Sequence, residues 1–500
     1  MAAKDTLDRL SSEIINDHLI FDPTSDSTKP PHIANGLFRV CAGETCDTSE
    51  IHEWVLSERR LNPKNEKKIT SSAEIVEKYQ DILQEGNLEK PENIKRFRLL
   101  LEEVFNQDNT VYPALEFSVM TISSHWLIRS RVNPEAHIGD FIYGILSKEI
   151  DGKQSPAIEL IRDALKNDTD DLTRLISPII AFPSKDVKRN IFEVDAFSED
   201  EIKWDAYKAR LREGFDRLAI NIKAKGEAKN SLLVLRRIIC FVGFATFAYL
   251  THANCAIYNG INPPIVIDAG GDLESIKKAS EQSYTLAKKS VEDYFVNTVY
   301  KILKLEIDDS STTEACIKWI DEMVVSDSAK ESDIKTAVTS YFNSFIDEKD
   351  DPLLALSRAL QIVLYTFRYK NNSPSDYCRV LGTRCGLVGP RGNRANVKRY
   401  LVNSFTLETI TLSILSEEDL RYGIDLKELS EKAVLAYNIL LGASADEEYE
   451  ILEKHNIAQS TPGDLRGDLS LNAQRLADTY ISLGLAKRYA DGVTLIGWRL

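Results

Sequence analysis

Cysteine is scarce in this sequence, with seven residues in 500, an odd number scattered along the chain. Such a set supplies no disulfide framework and fits the reduced thiols of a cytoplasmic protein. Signal-peptide features are not seen in the opening stretch either. The opening stretch MAAKDTLDRLSSEIINDHLIF carries charges every few positions and lacks the apolar run and small-residue cleavage site of a signal peptide, so it predicts a helix. Long hydrophobic runs are equally rare. The longest, Ile238 to Leu250 (IICFVGFATFAYL), is too short for a membrane span and predicts a core helix buried on all sides. There is no GxxxxGK followed by Ser or Thr, which argues against a P-loop NTPase, and no GxGxxG of the dinucleotide fingerprint. Cations are outnumbered, 62 Lys and Arg against 77 Asp and Glu, for a net charge of −15. A chain so acidic does not coat nucleic acid through bulk charge, so any such contact needs a local basic patch.

One such patch is present. The window Tyr377 to Leu407, YCRVLGTRCGLVGPRGNRANVKRYLVNSFTL, holds Arg379, Arg384, Arg391, Arg394, Lys398 and Arg399 and no acid. Removing those six positive charges leaves the rest of the chain near −21. Glycines at 382, 386, 389 and 392, with Pro390, predict an irregular loop whose backbone can approach another surface closely. Arginines on such a loop fork onto phosphate oxygens. Three readings stay open: nucleic-acid phosphates, an acidic face of this protein or of a partner subunit, and a nucleotide or other small anion. Cys378 and Cys385 lie in the window without evident partners for a metal.

The remaining candidates for chemistry are thin. Cys41 and Cys46, flanked by His32 and His52, depart from the paired two-residue spacings of zinc knuckles, and no metal is expected. His125 and His137 lack a surrounding Ser, Cys or Asp motif and read as core or surface histidines. Asp151 and Lys153 in EIDGK, with the strand-like RNIFEVDAF, invite comparison with metal-dependent nucleases, but both halves are generic. The run Ile265 to Ile267 enters Asp268-Ala269-Gly270-Gly271-Asp272 and then a long helix. Its two carboxylates oppose a bound phosphate, so Asp272 is expected to cap the helix while the glycines reverse the chain. No cofactor is implied.

Apolar residues at three- and four-residue steps recur through most of the chain and predict a mainly α, multidomain protein with a few short strands. The expected divisions are an N-terminal helical domain (1–150), a central helical domain with the strand-turn-helix unit (151–306), an acidic linker (307–335), a helical domain with the basic loop (336–425) and a last domain (426–500). In the last, DEEYEILEKH, TPGDLRGD, SLNAQRLADTYISLGL with Ser470 as N-cap and Gly484 as stop, and the hairpin AKRYADGVTLIGW follow one another. This order resembles the winged-helix fold class over about 55 residues. The resemblance implies nucleic-acid contacts from Asn472, Gln474 and Arg475 on the third helix and from Lys487 and Arg488 on the wing. Asp464, Asp468, Asp478 and Asp491 nearly cancel those cations, and mixed-charge winged helices also serve protein contacts.

The combined expectation is a non-enzymatic subunit of a multiprotein DNA-handling assembly, with phage defence as one setting for it, that binds nucleic acid and partner proteins and no membrane. The alternatives are a metal-dependent nuclease or other hydrolase using Asp268 and Asp272, and a helical scaffold that binds only proteins.

Overall fold

The computed structural model describes residues 5–24, 36–38, 40–41, 99, 137–166, 203–307, 312–348, 351–369, 373–391, 397–460, 464–490 and 492–498. His32, Cys46, His52, His125, the RNIFEVDAF segment, Arg394 and Asp491 lie outside them. The described chain is mainly helical, as expected. In order, the elements are α1 (Thr6–Ile14), α2 (Ile138–Ser147), α3 (Pro156–Lys166), α4 (Ala206–Ala224), α5 (Ser231–Tyr258), β1 (Ile265–Val266), α6 (Glu274–Glu306), α7 (Thr313–Glu322), α8 (Ser328–Asp347), α9 (Pro352–Val363) and α10 (Pro374–Arg384). They continue with α11 (Ser404–Ile414), α12 (Glu417–Tyr422), β2 (Ile424–Asp425), α13 (Leu426–Tyr437), β3 (Ile439–Leu440), α14 (Ala445–Lys454), α15 (Ile457–Ser460), α16 (Leu465–Ser482), β4 (Ala486–Arg488) and β5 (Thr494–Ile496).

Two compact units result. One gathers Met1–Thr28, Asp200–Leu218 and Gly243–Leu500, and the other Lys29–Glu199 and Ala219–Val242. In the second, α2 buries Ile138, Phe141, Ile142, Ile145 and Leu146, and the Arg162 Nε on α3 donates to the Cys41 carbonyl at 2.7 Å. Burial pushes the Cys41 thiol up to about 12, so it is not a ready thiolate ligand. His137 is exposed, with Nδ1 2.9 Å from an Asp140 oxygen.

The first unit carries the elements of interest. Among the described residues α5 alone is long and apolar enough to cross a membrane, and 83% of its most apolar window is buried, as for a core helix. Helix α6 buries the expected stripe through Ile276, Ala279, Tyr284, Ala287 and Val291. Its N-cap differs from the expectation: Leu273 occupies that position with no side-chain bond, and Asp272 stands exposed one residue earlier. Within the acidic 307–335 stretch, α7 is capped by Thr312 and α8 by Asp327.

Two small sheets organise the C-terminal part. Strands β1 and β3 pair in parallel, Ile265 with Ile439 and Val266 with Leu440. Behind them Val266, Ile276, Ala279, Leu440, Leu452, Ile457, Leu465 and Leu469 form one buried cluster. The second sheet is antiparallel in the order β2-β5-β4, with Ile424 opposite Ile496 and Lys487 opposite Leu495. Helix α16 starts at Leu465 rather than at Ser470, because the Asp464 side chain accepts the Gly467 N–H at 3.2 Å and caps it there. It stops where expected, with Gly484 in the left-handed region at φ +69°.

Candidate functional site

The basic window is more ordered than its glycines suggest. Its first part is α10, with Gly382 inside the helix because Val388 and Phe247 leave no room for a Cβ there. The chain then returns through a two-residue bridge in which Gly389 and Arg399 exchange both backbone bonds at 2.9 Å. Tyr400 follows, fully buried edge-on between Phe247 and Tyr284, and its carbonyl accepts the Asp268 N–H at 2.9 Å.

This path turns three of the six cations, Arg384, Lys398 and Arg399, inward. Arg399 Nε donates to Asp268 Oδ2 at 2.5 Å, and Lys398 Nζ donates to the Pro390 carbonyl at 2.5 Å. Burial, with Arg379 nearby, lowers the Lys398 pKa. Arg384 is buried, and Arg379 pairs with Asp376 at 3.3 Å. Arg391 is exposed. Of the three readings of the window, an acidic group of the same protein therefore has a named member, Asp268.

Asp268 is 4% exposed, and its second oxygen accepts the Gly270 N–H at 2.7 Å. Asp272, its expected partner in metal-dependent hydrolysis, is exposed on the same turn. Among the described residues no group of three or more His, Cys, Asp or Glu side chains is placed to hold a metal ion. The carboxylate serves the turn and Arg399.

The same turn receives α16. Asn472 is 1% exposed, its Oδ1 accepts the Ala269 N–H at 2.9 Å, and its Nδ2 donates to the carbonyls of Ile267 at 2.8 Å and Leu441 at 3.4 Å. It bridges the chain leaving β1 to the chain leaving β3. Arg475 Nη1 donates to the Gly270 carbonyl at 2.8 Å. Asn472, expected to face nucleic acid, faces the protein interior instead, and Arg475 lies half-buried against the same turn. Helical phase explains it: Asn472 lies three residues after Leu469 and four before Leu476, on the buried stripe.

The outward stripe is Arg466, Ser470, Gln474, Asp478 and Ser482, each four residues from the next and all exposed. Of these, Gln474 alone is among the contacts expected from the sequence, although the regular four-residue polar spacing is readable there. Arg466 lies over the Tyr449 ring at 4.3 Å, and Asp478 pairs with Arg488 of β4 at 2.8 Å. Lys487 and Arg488 are exposed, with Lys487 Nζ 5.1 Å from the Tyr489 ring centre. A groove of about 550 Å³ runs between α16 and this hairpin, lined by Ser470, Gln474, Asp478, Arg488 and Thr494 and floored by Gly442 and Ala443.

The floor is held by a buried carboxylate. Glu448 on α14 accepts the Ser430 hydroxyl and the Gly442 N–H, the latter at 2.6 Å. Burial raises its pKa, against the opposing effect of those bonds. It fills the backbone nest after β3 from within, which leaves the outward groove to the α16 stripe and the hairpin. Comparison with protein-family models, with curated proteins and with solved structures finds no match for this chain.

Proposed function

We propose that this protein is a non-enzymatic subunit of a nucleic-acid-handling assembly and that its C-terminal part is a winged-helix-like module. In this reading α16 is the recognition helix and β4–β5 the wing. The observation that carries it is the exposed α16 stripe beside the hairpin cations. Ser470, Gln474 and Ser482 are short or flexible polar side chains that let a helix approach base edges, and Gln474 is a residue type that reads adenine. Arg466 and Lys487 flank them as phosphate contacts, while the Arg488 pair with Asp478 cancels the acid nearest the bound backbone.

The test is anisotropy of labelled DNA and RNA, single- and double-stranded, at two salt concentrations. Arg466→Glu and Lys487→Glu are each expected to weaken binding and reduce the salt slope by about 1. Gln474→Ala is expected to flatten sequence preference by about 1–3 kcal/mol. Binding that ignores salt, or that all three variants leave intact, sinks the proposal. Copurification from the native cell then identifies the pathway, with phage defence among the settings proposed.

A second reading, a scaffold that binds only proteins, draws on the inward placement of Lys398, Arg399 and Arg384. Absence of any nucleic-acid binding in the same titrations is the outcome that selects it.

A further inference from the structure

The β4–β5 hairpin ends in an open tip. Gly492 lies there at φ +86°, and beyond its chain neighbours no heavy atom comes within 4 Å of the place its Cβ would take. Tyr489 enters the turn, its N–H donating to the Val493 carbonyl at 2.9 Å and its carbonyl accepting the Gly492 N–H at 3.0 Å. Those bonds continue the register of Arg488 opposite Thr494 and set Tyr489 across from Val493. Tyr489 is 38% exposed and Val493 44%. Strand alternation divides the two wing cations. Arg488 turns to α16, where it holds Asp478 at 2.8 Å, whereas Lys487 shares the side of Tyr489, with Nζ 5.1 Å from the ring centre. An exposed aromatic ring, an aliphatic neighbour and an ammonium group thus meet at one tip.

We infer that Tyr489 stacks on an unpaired base, so that the nucleic acid bound here carries a single-stranded stretch beside its duplex. The inference rests on the nucleic-acid reading of α16 and the wing, and it narrows the substrate. Inside a continuous duplex the faces of each base are covered by stacking, and only the edges are open to a protein. A ring on the wing tip finds no partner there. An unpaired base has a free π face that stacks on a tyrosine whatever the base, and the phosphate beside it meets the Lys487 ammonium. An apolar segment of a partner protein fits less well. Laid on the same ring, it would take the Lys487 ammonium out of water without bringing an anion to it.

The full chain is titrated by anisotropy against a labelled DNA duplex bearing a short single-stranded tail. The comparison is the same duplex with a tail of abasic sites, which keeps the phosphates and removes the bases. The tail with bases is expected to bind about tenfold tighter, within the range for one base stacked on an aromatic ring. A 2-aminopurine in that tail is expected to be quenched on binding. Tyr489→Ala and Tyr489→Leu are each expected to bring the two tails level, and Tyr489→Phe, which keeps the ring, to show the tenfold ratio again. Because the ratio is taken within one variant, a loss of folding lowers both affinities and does not imitate this result. Equal binding of the two tails by the parent overturns the inference, while salt-dependent binding through Arg466 and Lys487 would keep the reading beneath it. A preference that Tyr489→Leu retains also overturns it, as the mark of a general apolar contact, and so does quenching that Tyr489→Ala leaves in place. Absence of any nucleic-acid binding by the parent overturns both the inference and the reading on which it rests.

Discussion

Asp268 is where two distant stretches become one structure, because its carboxylate joins the turn after β1 to Arg399, 131 residues on. A buried pair contributes little over a well-packed apolar alternative, but removing one partner strands the other charge. Asp268→Asn is therefore expected to cost about 3–5 kcal/mol in urea unfolding. An unchanged midpoint would mean that the pair is not a structural element and would return Asp268 to the list of candidate catalytic groups. His252 supplies a second residue-level test. Its Nδ1 lies 2.8 Å from the Ala248 carbonyl and its Nε2 3.0 Å from the Pro263 carbonyl. Burial pushes the imidazole down to about 4, and those carbonyls only partly oppose it. The unfolded chain, with a histidine near 6.5, takes up the proton first, so the stability tied to His252 is complete above that pH. It is lost as pH falls from about 6.5 to about 4, by about 3 kcal/mol. His18 is likewise pushed down to about 4 by burial and adds slope in the same window. His252→Gln is expected to remove its share of the slope, and a variant with the parent's profile would contradict this account.

At the scale of the element, helices among the described residues were legible and their ends less so. Helix α6 was readable from Ile276, Ala279 and Tyr284 because three- and four-residue steps encode one face. The phase of α16 was misjudged because Asn472 is polar and a polar residue on a buried stripe looks like a surface one until its partners are known. Those partners, Ile267 and Ala269, are more than 200 residues away in sequence and leave no local trace. The start of the basic window, expected as irregular loop, is helical for a related reason. Glycine 382 looks like a helix breaker, yet it sits in α10 where neighbouring side chains require the missing Cβ. Two further glycines separate packing from backbone conformation. Gly442 has φ +94°, and a Cβ there would collide with the Leu469 carbonyl on α16. Gly492, at φ +86° in the β4–β5 turn, has open space around it. Gly492→Ala should cost about 1 kcal/mol from φ alone, and Gly442→Ala about 2–4 kcal/mol because α16 must move as well. Equal losses in thermal unfolding would show that α16 yields freely at Leu469.

For the whole molecule, long-range closure decides what counts as a unit. Helix α1 buries Leu7, Leu10 and Ile14 in the unit that contains Gly243–Leu500. The Ile14 carbonyl accepts the Tyr294 hydroxyl at 3.2 Å, and Ser11 Oγ lies 3.1 Å from the Tyr369 hydroxyl. No periodicity in residues 1–20 announces partners so far along the chain. The C-terminal elements show the same dependence. Strand β3 has β1 as its partner, Asn472 and Arg475 bind the 267–270 backbone, and Val266, Ile276 and Ala279 complete the cluster under α14 and α16. A fragment of residues 417–500 keeps the α12–α16 helices and the β2-β5-β4 sheet but loses all of these contacts. It is expected to retain helical circular dichroism while unfolding without a cooperative transition and giving a poorly dispersed amide spectrum. The full chain, with β1 and α6 present, should show the corresponding amides protected from exchange. A fragment that unfolds cooperatively with dispersed amides would make the C-terminal part an autonomous module. Asn472 would then be an optional strap rather than the residue that sets α16 in place, and its replacement by Ala in the full chain should leave nucleic-acid affinity untouched.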